Sequence, residues 1–99
     1  MGREFVWARA GNLRLPPSRR SGADPFKLAN QVRAFGTTVQ GMPTIQVTRG
    51  ARDELMINDG VTRATRIARI NSDAMIEVEV IDDRPSWNLD NLPRVKERL

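Results

Sequence analysis

The segment 58–71, with the sequence NDGVTRATRIARIN, contains the residues best suited to hold or attack a phosphate. An apolar run at 54–58 ends at Asp59-Gly60, where glycine lets the backbone turn tightly before a helical pattern begins. The first turn of a helix has N–H groups without partners, and these groups attract anions. Three arginines follow on the same helix: Arg63, Arg66 and Arg69. The segment therefore predicts an anion site, with phosphate as the favoured occupant.

Asp59 is the carboxylate that the sequence places at the mouth of this site. It could hold a metal ion that bridges phosphates, act as a general base on water, or cap the helix through a side-chain oxygen. Asn, Asp and Gly are also the residues that accept left-handed backbone angles, so 58–60 could be a plain tight turn. Arg63 falls in the first helical turn, beside the free N–H groups, and is expected to bind the ligand. Arg69 is expected to be solvated.

Composition limits the chemistry that is open to the chain. Its 99 residues suit a single domain, and no apolar stretch reaches the roughly 20 residues that a membrane-spanning helix needs. There is no cysteine and no histidine, which leaves carboxylates, arginines, hydroxyls and backbone groups. The net charge is +4, and arginine supplies 14 of the 16 basic residues. This excess suits an anionic partner such as nucleic acid or nucleotide, although a GC-rich genome could produce it too.

Two helices are predicted. Asp24 is a good N-cap, Pro25 suits the first helical position and Gly36 supplies the end of the first helix. Its expected apolar face is Leu28, Ala29, Val32 and Phe35. In the second helix the expected apolar residues are Val61, Ala64, Ile67 and Ala68, with the arginines spread over a broad basic face.

Alternating and β-branched residues predict strands at 44–48, 54–58 and 76–82, and a weaker alternation at 3–8 indicates a strand or an arm. Glu77 and Glu79 alternate with apolar residues and are expected on a solvated face. The tail 83–99 is expected to lie across the body, held by side chains such as Leu89 and Leu92. The prediction is an α+β fold with a small mixed sheet of three to four strands and two main helices. The sequence predicts one domain over 1–99, with its core at 13–82.

Three pieces in this order resemble the ParB N-terminal domain and sulfiredoxin superfamily, over roughly 13–82. They are LPPSRR at 15–20, GMPTIQV at 41–47, which looks like the "PI-V" box of that family, and DGVTR at 59–63, which aligns with its Gly-x-x-Arg signature. The resemblance implies a small α+β fold whose signature helix receives a phosphate-bearing ligand. ParB proteins bind cytidine triphosphate there, sulfiredoxins bind adenosine triphosphate, and other relatives are nucleases.

The resemblance assigns roles position by position. Gly60 would allow close backbone approach, Arg63 would contact phosphate, and the Arg19–Arg20 loop would come near the ligand. Val61 and Thr62 depart from both branches, since ParB has Glu then Arg there and sulfiredoxin has Cys then His; the missing cysteine excludes sulfiredoxin chemistry. The expected phosphate- or nucleotide-binding set is Gly60, Val61, Thr62, Arg63, Arg66, Arg19 and Arg20, and the expected catalytic pair is Asp59 and Arg63.

Two functions follow as hypotheses. The first is a nuclease or nucleotide-processing enzyme in which Asp59 positions water or a Mg²⁺ or Mn²⁺ ion, and Arg63 and Arg66 stabilise charge on the phosphate oxygens. The second is a non-catalytic module that binds a nucleotide or nucleic acid, or a protein partner through its arginine face. The wording of 41–47 and 54–68 also resembles bacterial ParB-like domains found alone or in polymorphic toxins. That setting implies a cytoplasmic location, or delivery into a target cell, and an immunity protein as partner.

Overall fold

A computed structural model describes residues 3–38 and 41–99. The described chain is an α+β fold in which a four-stranded mixed sheet, with strand order β1-β4-β2-β3, packs against two helices. β2 runs parallel to β4, and the other two neighbouring pairs are antiparallel. The elements are β1 Glu4–Arg9, α1 Pro25–Phe35, β2 Ile45–Arg49, β3 Leu55–Asp59, α2 Val61–Ile70 and β4 Met75–Asp83. The predicted fold class is confirmed, and the weak alternation at 3–8 is the fourth strand.

Local sequence signals set both ends of α1. The Asp24 carboxylate accepts hydrogen bonds from the backbone N–H groups of Phe26 and Lys27, at 2.8 Å and 3.2 Å. These bonds hold the pKa of Asp24 below its ordinary value, with the Lys27 bond as the larger cause. At the other end Gly36 takes a positive φ of 58° and donates its N–H to the Val32 carbonyl. The predicted boundaries of this helix are confirmed.

The predicted apolar face of α1 is mostly wrong. Leu28 is buried, but Ala29 is exposed and Val32 is 46% exposed, while Phe35 is half-buried. The helix therefore lies at the margin of the core and contacts α2 with little apolar area. The core itself lies between the sheet and α2, and its centre is formed by Leu13, Leu15, Ile45, Val47, Ile57, Ala64, Ile67, Val78 and Val95.

The segment around Arg14 joins the tail to the sheet. Arg14 pairs with the free side of β3, donating its N–H to the Leu55 carbonyl and accepting from the N–H of Ile57. On the other side of this segment, the Leu13 carbonyl accepts a hydrogen bond from the N–H of Val95. A short 3₁₀ turn at Val95–Arg98 ends the tail, and Leu89 and Leu92 are buried as predicted.

The Arg14 side chain completes this junction. Its Nε and Nη2 donate to both oxygens of Glu54, at 3.1 Å and 3.0 Å, and its Nη1 donates to the Leu92 carbonyl at 2.8 Å. Arg14 is 7% exposed, so its charge is compensated inside the protein by a bidentate carboxylate. The hydrogen bonds from Arg14 lower the pKa of the Glu54 carboxyl below its ordinary value.

The prediction for Glu79 is wrong, because this residue is 7% exposed. Its carboxylate accepts bonds from Arg3 Nε at 2.7 Å and Arg3 Nη2 at 3.1 Å, and from Gln46 Nε2 at 3.2 Å. These partners come from β2 and the start of the chain, which the spacing of one strand cannot reveal. Within the described ranges, no helix has the length and apolarity needed to cross a bilayer.

Replacing Glu54 by Gln should lower the free energy of unfolding at neutral pH by about 1–3 kcal/mol, because a mostly buried guanidinium loses its carboxylate. The stabilisation from a lowered pKa is complete above the unfolded carboxyl pKa of about 4.3 and is lost as pH falls through the folded value. The gap between wild type and Glu54→Gln should therefore shrink in acid. Denaturant unfolding over a pH series measures it.

Arg52→Gln is the matched control. Arg52 pairs with Asp90 at 3.2 Å, but its side chain is 78% exposed, so its loss should change the unfolding free energy by less than about 1 kcal/mol. Equal effects of the two substitutions, or a gap that widens in acid, would contradict the assignment.

Candidate functional site

A groove with a volume of about 610 Å³ opens beside the first turn of α2. Its walls come from three parts of the chain: the β3–α2 junction at 58–63, the exposed side of α1, and the loop before α1, which includes Arg19. The start of α1 lies at the same groove, since Ala23, Asp24 and Lys27 line it. Two helix N-termini therefore border one cavity.

The two N-termini differ in how they are capped. The first N–H groups of α1 bond to the Asp24 carboxylate. No side chain in the described part of the protein caps α2, and its first helical bond runs from the Ala64 N–H to the Gly60 carbonyl at 2.9 Å. The N–H groups of Val61, Thr62 and Arg63 precede that bond and have no carbonyl partner within the helix. The positive end of the α2 dipole thus faces the groove without a capping side chain.

Gly60 makes this junction possible. Its φ of 117° lies in the left-handed region, which L-residues with side chains rarely adopt. A Cβ at this position would lie 2.8 Å from Cγ1 of Ile45 and 3.0 Å from Nη2 of Arg63. The glycine therefore serves two purposes: it allows the turn, and it leaves room for the Arg63 guanidinium against the backbone.

Arg63 lines the groove, and two of its donors lie unsatisfied beneath the groove surface. Its Nε and Nη2 are buried and have no hydrogen-bond acceptor in the described part of the chain. Nη2 is 3.2 Å from Oδ2 of Asp59, which is close enough for an ion pair but not aligned as a hydrogen bond. Nε and Nη2 form one edge of the guanidinium, and this edge can bind two oxygens of a phosphate or carboxylate together. An unpaired buried donor is costly, so the geometry favours an anion here.

Asp59 lies at the exposed end of the same ion pair. Its side chain is 71% exposed, whereas that of Arg63 is 14% exposed. Asp59 does not cap α2, because no side chain does. The capping alternative from the sequence is therefore wrong, and a role in holding Arg63, a metal ion or water stays a prediction.

The other predicted residues are distributed unevenly. Gly60, Val61 and Thr62 line the groove together with Arg19 from the loop before α1. Arg20 follows Arg19 but is not among the lining residues; its Nη2 donates to the Asn91 carbonyl at 3.3 Å, on the side of the tail. Outside the predicted set, Thr65 donates its hydroxyl to the Val61 carbonyl, a contact within the helix.

Arg66 is buried behind the groove wall instead of lying on an open basic face. It is 1% exposed, and its Nη1 donates to the Gly36 carbonyl at 2.9 Å. Its Nε donates to Oε1 of Gln31 at 3.3 Å, and Gln31 lines the groove. Among the described residues no carboxylate forms an ion pair with it, and burial lowers its pKa from the ordinary value. The predicted place of Arg66 on a broad basic face is thus wrong; this member of the expected phosphate-binding set is not among the groove-lining residues, and its contacts link α2 to α1.

Sequence reasoning missed the contribution of α1. Lys27, Asn30, Gln31 and Ala34 line the groove. These residues recur at helical spacing, with three polar side chains in line, and this periodicity was the signal that could have identified them. The spacing alone does not show that this side of α1 faces α2 instead of open solvent.

No set of three or more acidic side chains placed to share a metal ion occurs in residues 3–38 and 41–99. The predicted Mg²⁺ or Mn²⁺ would thus have Asp59 and the ligand's own phosphates as its main contacts. Comparisons with protein-family models, with curated proteins and with solved structures gave no match.

Gly60→Ala should lower the free energy of unfolding by more than about 1–2 kcal/mol, because left-handed strain adds to a clash with Ile45 and Arg63. Gly41→Ala is the control, since Gly41 has a φ of 78° but its Cβ would meet nothing within 4 Å. Thermal and denaturant unfolding compare the two. If both variants lose the same stability, close packing at Gly60 contributes nothing.

Proposed function

We propose that the chain binds a phosphate-bearing nucleotide or nucleic acid in the groove between α1 and α2. The observation that carries this proposal is the pair of unsatisfied Arg63 donors beside the uncapped N-terminus of α2. Phosphate satisfies both features at once, because its oxygens can accept from the guanidinium edge and from the free backbone N–H groups.

The charge around the groove supports an anionic ligand. Arg19 and Lys27 line it together with Arg63. Of the two carboxylates in the lining, Asp24 already accepts the N–H groups of α1, and Asp59 is paired with Arg63. Arg66 lies behind Gln31 and adds a buried positive charge. Among the described residues, no carboxylate pairs with this charge. The groove therefore contains more positive than negative charge.

The size of the groove supports a ligand larger than phosphate alone. A volume of about 610 Å³ falls within the roughly 300–1,000 Å³ of small-ligand sites. The amides of Asn30 and Gln31 lie in the lining and can donate to and accept from a base or sugar. The resemblance of DGVTR to the Gly-x-x-Arg signature favours the same ligand class and the same position for its phosphates.

Arg63→Ala should weaken binding of nucleoside triphosphates, pyrophosphate and single-stranded DNA about tenfold or more, because charge-assisted hydrogen bonds are worth about 1.5–3 kcal/mol. Isothermal titration calorimetry at two salt concentrations measures the affinity. Arg69→Ala is the control, since Arg69 lies on the same helix but its Nη2 reaches the Leu99 carbonyl, away from the groove.

Comparing the affinity for single-stranded DNA with that for nucleoside triphosphates shows which class of ligand the groove binds. Binding to nucleic acid should fall steeply with salt, as counterions return to the phosphates. Equal losses in both variants would show that general positive charge, not the Arg63 site, binds the ligand. Retained affinity in Arg63→Ala would refute the site.

Hydrolysis is a second candidate, favoured by the position of Asp59. Its carboxylate is largely exposed at the groove and lies within 3.2 Å of the proposed phosphate-binding guanidinium. In that place it can position a water molecule or share a divalent cation with the phosphates. Arg63 would then stabilise the negative charge that grows on the phosphate oxygens.

Asp59→Asn distinguishes binding from turnover. With Mg²⁺ or Mn²⁺ present, it should abolish release of phosphate or cleavage of DNA and RNA. Without metal, it should keep or raise affinity for pyrophosphate, because Asn no longer competes as an anion for Arg63. Products are followed by phosphate release and by gel electrophoresis. Turnover that survives Asp59→Asn would exclude this catalytic role. Binding without turnover in the wild type would exclude hydrolysis and support the non-catalytic binding module.

A further inference from the structure

The amide of Gln31 is held in one orientation by Arg66. Gln31 lies on α1 and lines the groove, and its Oε1 accepts a hydrogen bond from Arg66 Nε at 3.3 Å. A guanidinium has donors only, so the amide cannot turn around, since its NH₂ group would then face another donor. Within residues 3–38 and 41–99 no acceptor binds Gln31 Nε2, and this atom is not among the buried unsatisfied ones. Its N–H groups are therefore the part of Gln31 that a ligand can reach.

Arg66 has a contact that packing alone does not explain. Its side chain is 1% exposed, and it also contacts the Gly36 carbonyl, the Met42 sulfur and the Phe35 ring. An apolar side chain of similar length would fill this space without the cost of burying a charge that no described carboxylate compensates. Of these contacts in the described chain, only Gln31 belongs to the groove lining. The bond to Gln31 therefore connects the buried charge to the groove.

Two more amide side chains in the lining are arranged in the same way. Asn30 Oδ1 accepts from Arg33 Nη1 at 3.1 Å, and Asn58 Oδ1 accepts from Thr48 Oγ1 at 2.7 Å. In both residues the protein holds the oxygen, and within the described ranges no acceptor binds the NH₂ group. The amides of the lining thus present their donors to the groove.

We propose that Arg66 is a positioning residue, which orients Gln31 so that the wall contributed by α1 offers donors and selects an oxygen acceptor of the ligand. The inference rests on the proposed function, because it needs a ligand in this groove. An amide can in general donate and accept, and Arg66 removes the second option at Gln31. Lys27 lies one turn before Gln31 and also lines the groove, which adds a positive charge to the same wall. The acceptor is an oxygen of a second phosphate or a carbonyl oxygen of a base.

Gln31→Glu tests the orientation, because it keeps the shape of the side chain and replaces the NH₂ group by a charged acceptor. It should weaken binding of the responding ligand about tenfold or more, since a donor is lost and like charges meet. It should also raise the midpoint of thermal unfolding by about 4 °C or more, because Arg66 gains a carboxylate partner. Titration calorimetry measures the affinity, and scanning calorimetry measures the midpoint. A residue that only packs would not lower affinity while it raises stability.

Asn88→Asp is the matched control. It makes the same chemical change at an exposed residue outside the groove lining, and its oxygen can still accept the Asp90 N–H, as that of Asn88 does at 2.9 Å. Its affinity for every ligand should equal that of the wild type. Equal losses in Asn88→Asp and Gln31→Glu would show an effect of net charge and would overturn the assignment.

Pyrophosphate and the four ribonucleoside triphosphates distinguish the two sources of the acceptor. If Gln31→Glu weakens pyrophosphate and all triphosphates alike, the acceptor is a phosphate oxygen. If it weakens only triphosphates whose base has a carbonyl group, and leaves adenosine triphosphate unchanged, the acceptor is a base oxygen. Unchanged affinity for every probe, in a protein whose Arg63→Ala variant binds them weakly, would overturn this inference and leave the proposed function intact. A wild type that binds no probe would overturn both.

A double-mutant cycle tests Arg66 itself. Gln31→Met removes the amide donors and should weaken binding about three- to tenfold in the native background. In the Arg66→Met background the amide of Gln31 is free to turn, so Gln31→Met should weaken binding less. Circular dichroism checks that Arg66→Met is folded; if it is not, Gln31→Glu decides alone. Equal losses in the two backgrounds would show that Arg66 does not orient Gln31.

Discussion

The left-handed backbone at Gly60 is the constraint on which the candidate site depends. Asp59 ends β3 opposite Gln46 of β2, and α2 begins one residue after Gly60. A turn this short keeps the first helical N–H groups close to the sheet, next to buried Ile45. A side chain at position 60 would push either the helix or Arg63 away. The position of the groove, the free N–H groups and the guanidinium therefore all follow from a residue without a Cβ.

Two arginines one turn apart on α2 show how context decides the role of the same side chain. Arg63 lies beside the groove with donors unsatisfied, whereas Arg66 donates to Gly36, Gln31 and the Met42 sulfur and lies 5.4 Å from the Phe35 ring. Neutral acceptors stabilise the buried Arg66 charge without cancelling it. Its field thus adds to that of the helix dipole, and both favour an anion in front of α2.

The sequence predicted the features that depend on neighbours along the chain. Asp24-Pro25 and Gly36 set the ends of α1, and Asp59-Gly60 marks the start of α2. It failed where a residue's environment comes from distant segments. Burial of Glu79 depends on Arg3 and that of Arg66 on the end of α1, and helical periodicity does not show which neighbours a helix will have. The prediction that Val32 is buried and the failure to predict that α1 lines the groove have the same cause. Both depend on where α1 packs, which its sequence does not show.

The competition between Asp59 and a ligand for Arg63 decides what the site can do. An ion pair with a largely exposed carboxylate is worth about 0–1 kcal/mol, so Asp59 is a weak competitor. A phosphate that also reaches the free N–H groups of α2 would bind the guanidinium edge more strongly and release Asp59. The released carboxylate would then face a bound anion. Their repulsion would either turn Asp59 toward solvent, which suits a binding module, or recruit a divalent cation between them, which brings a base and a metal to the phosphate. The position that Asp59 takes after its ion pair with Arg63 breaks would thus decide whether the groove only binds a phosphate or also hydrolyses it.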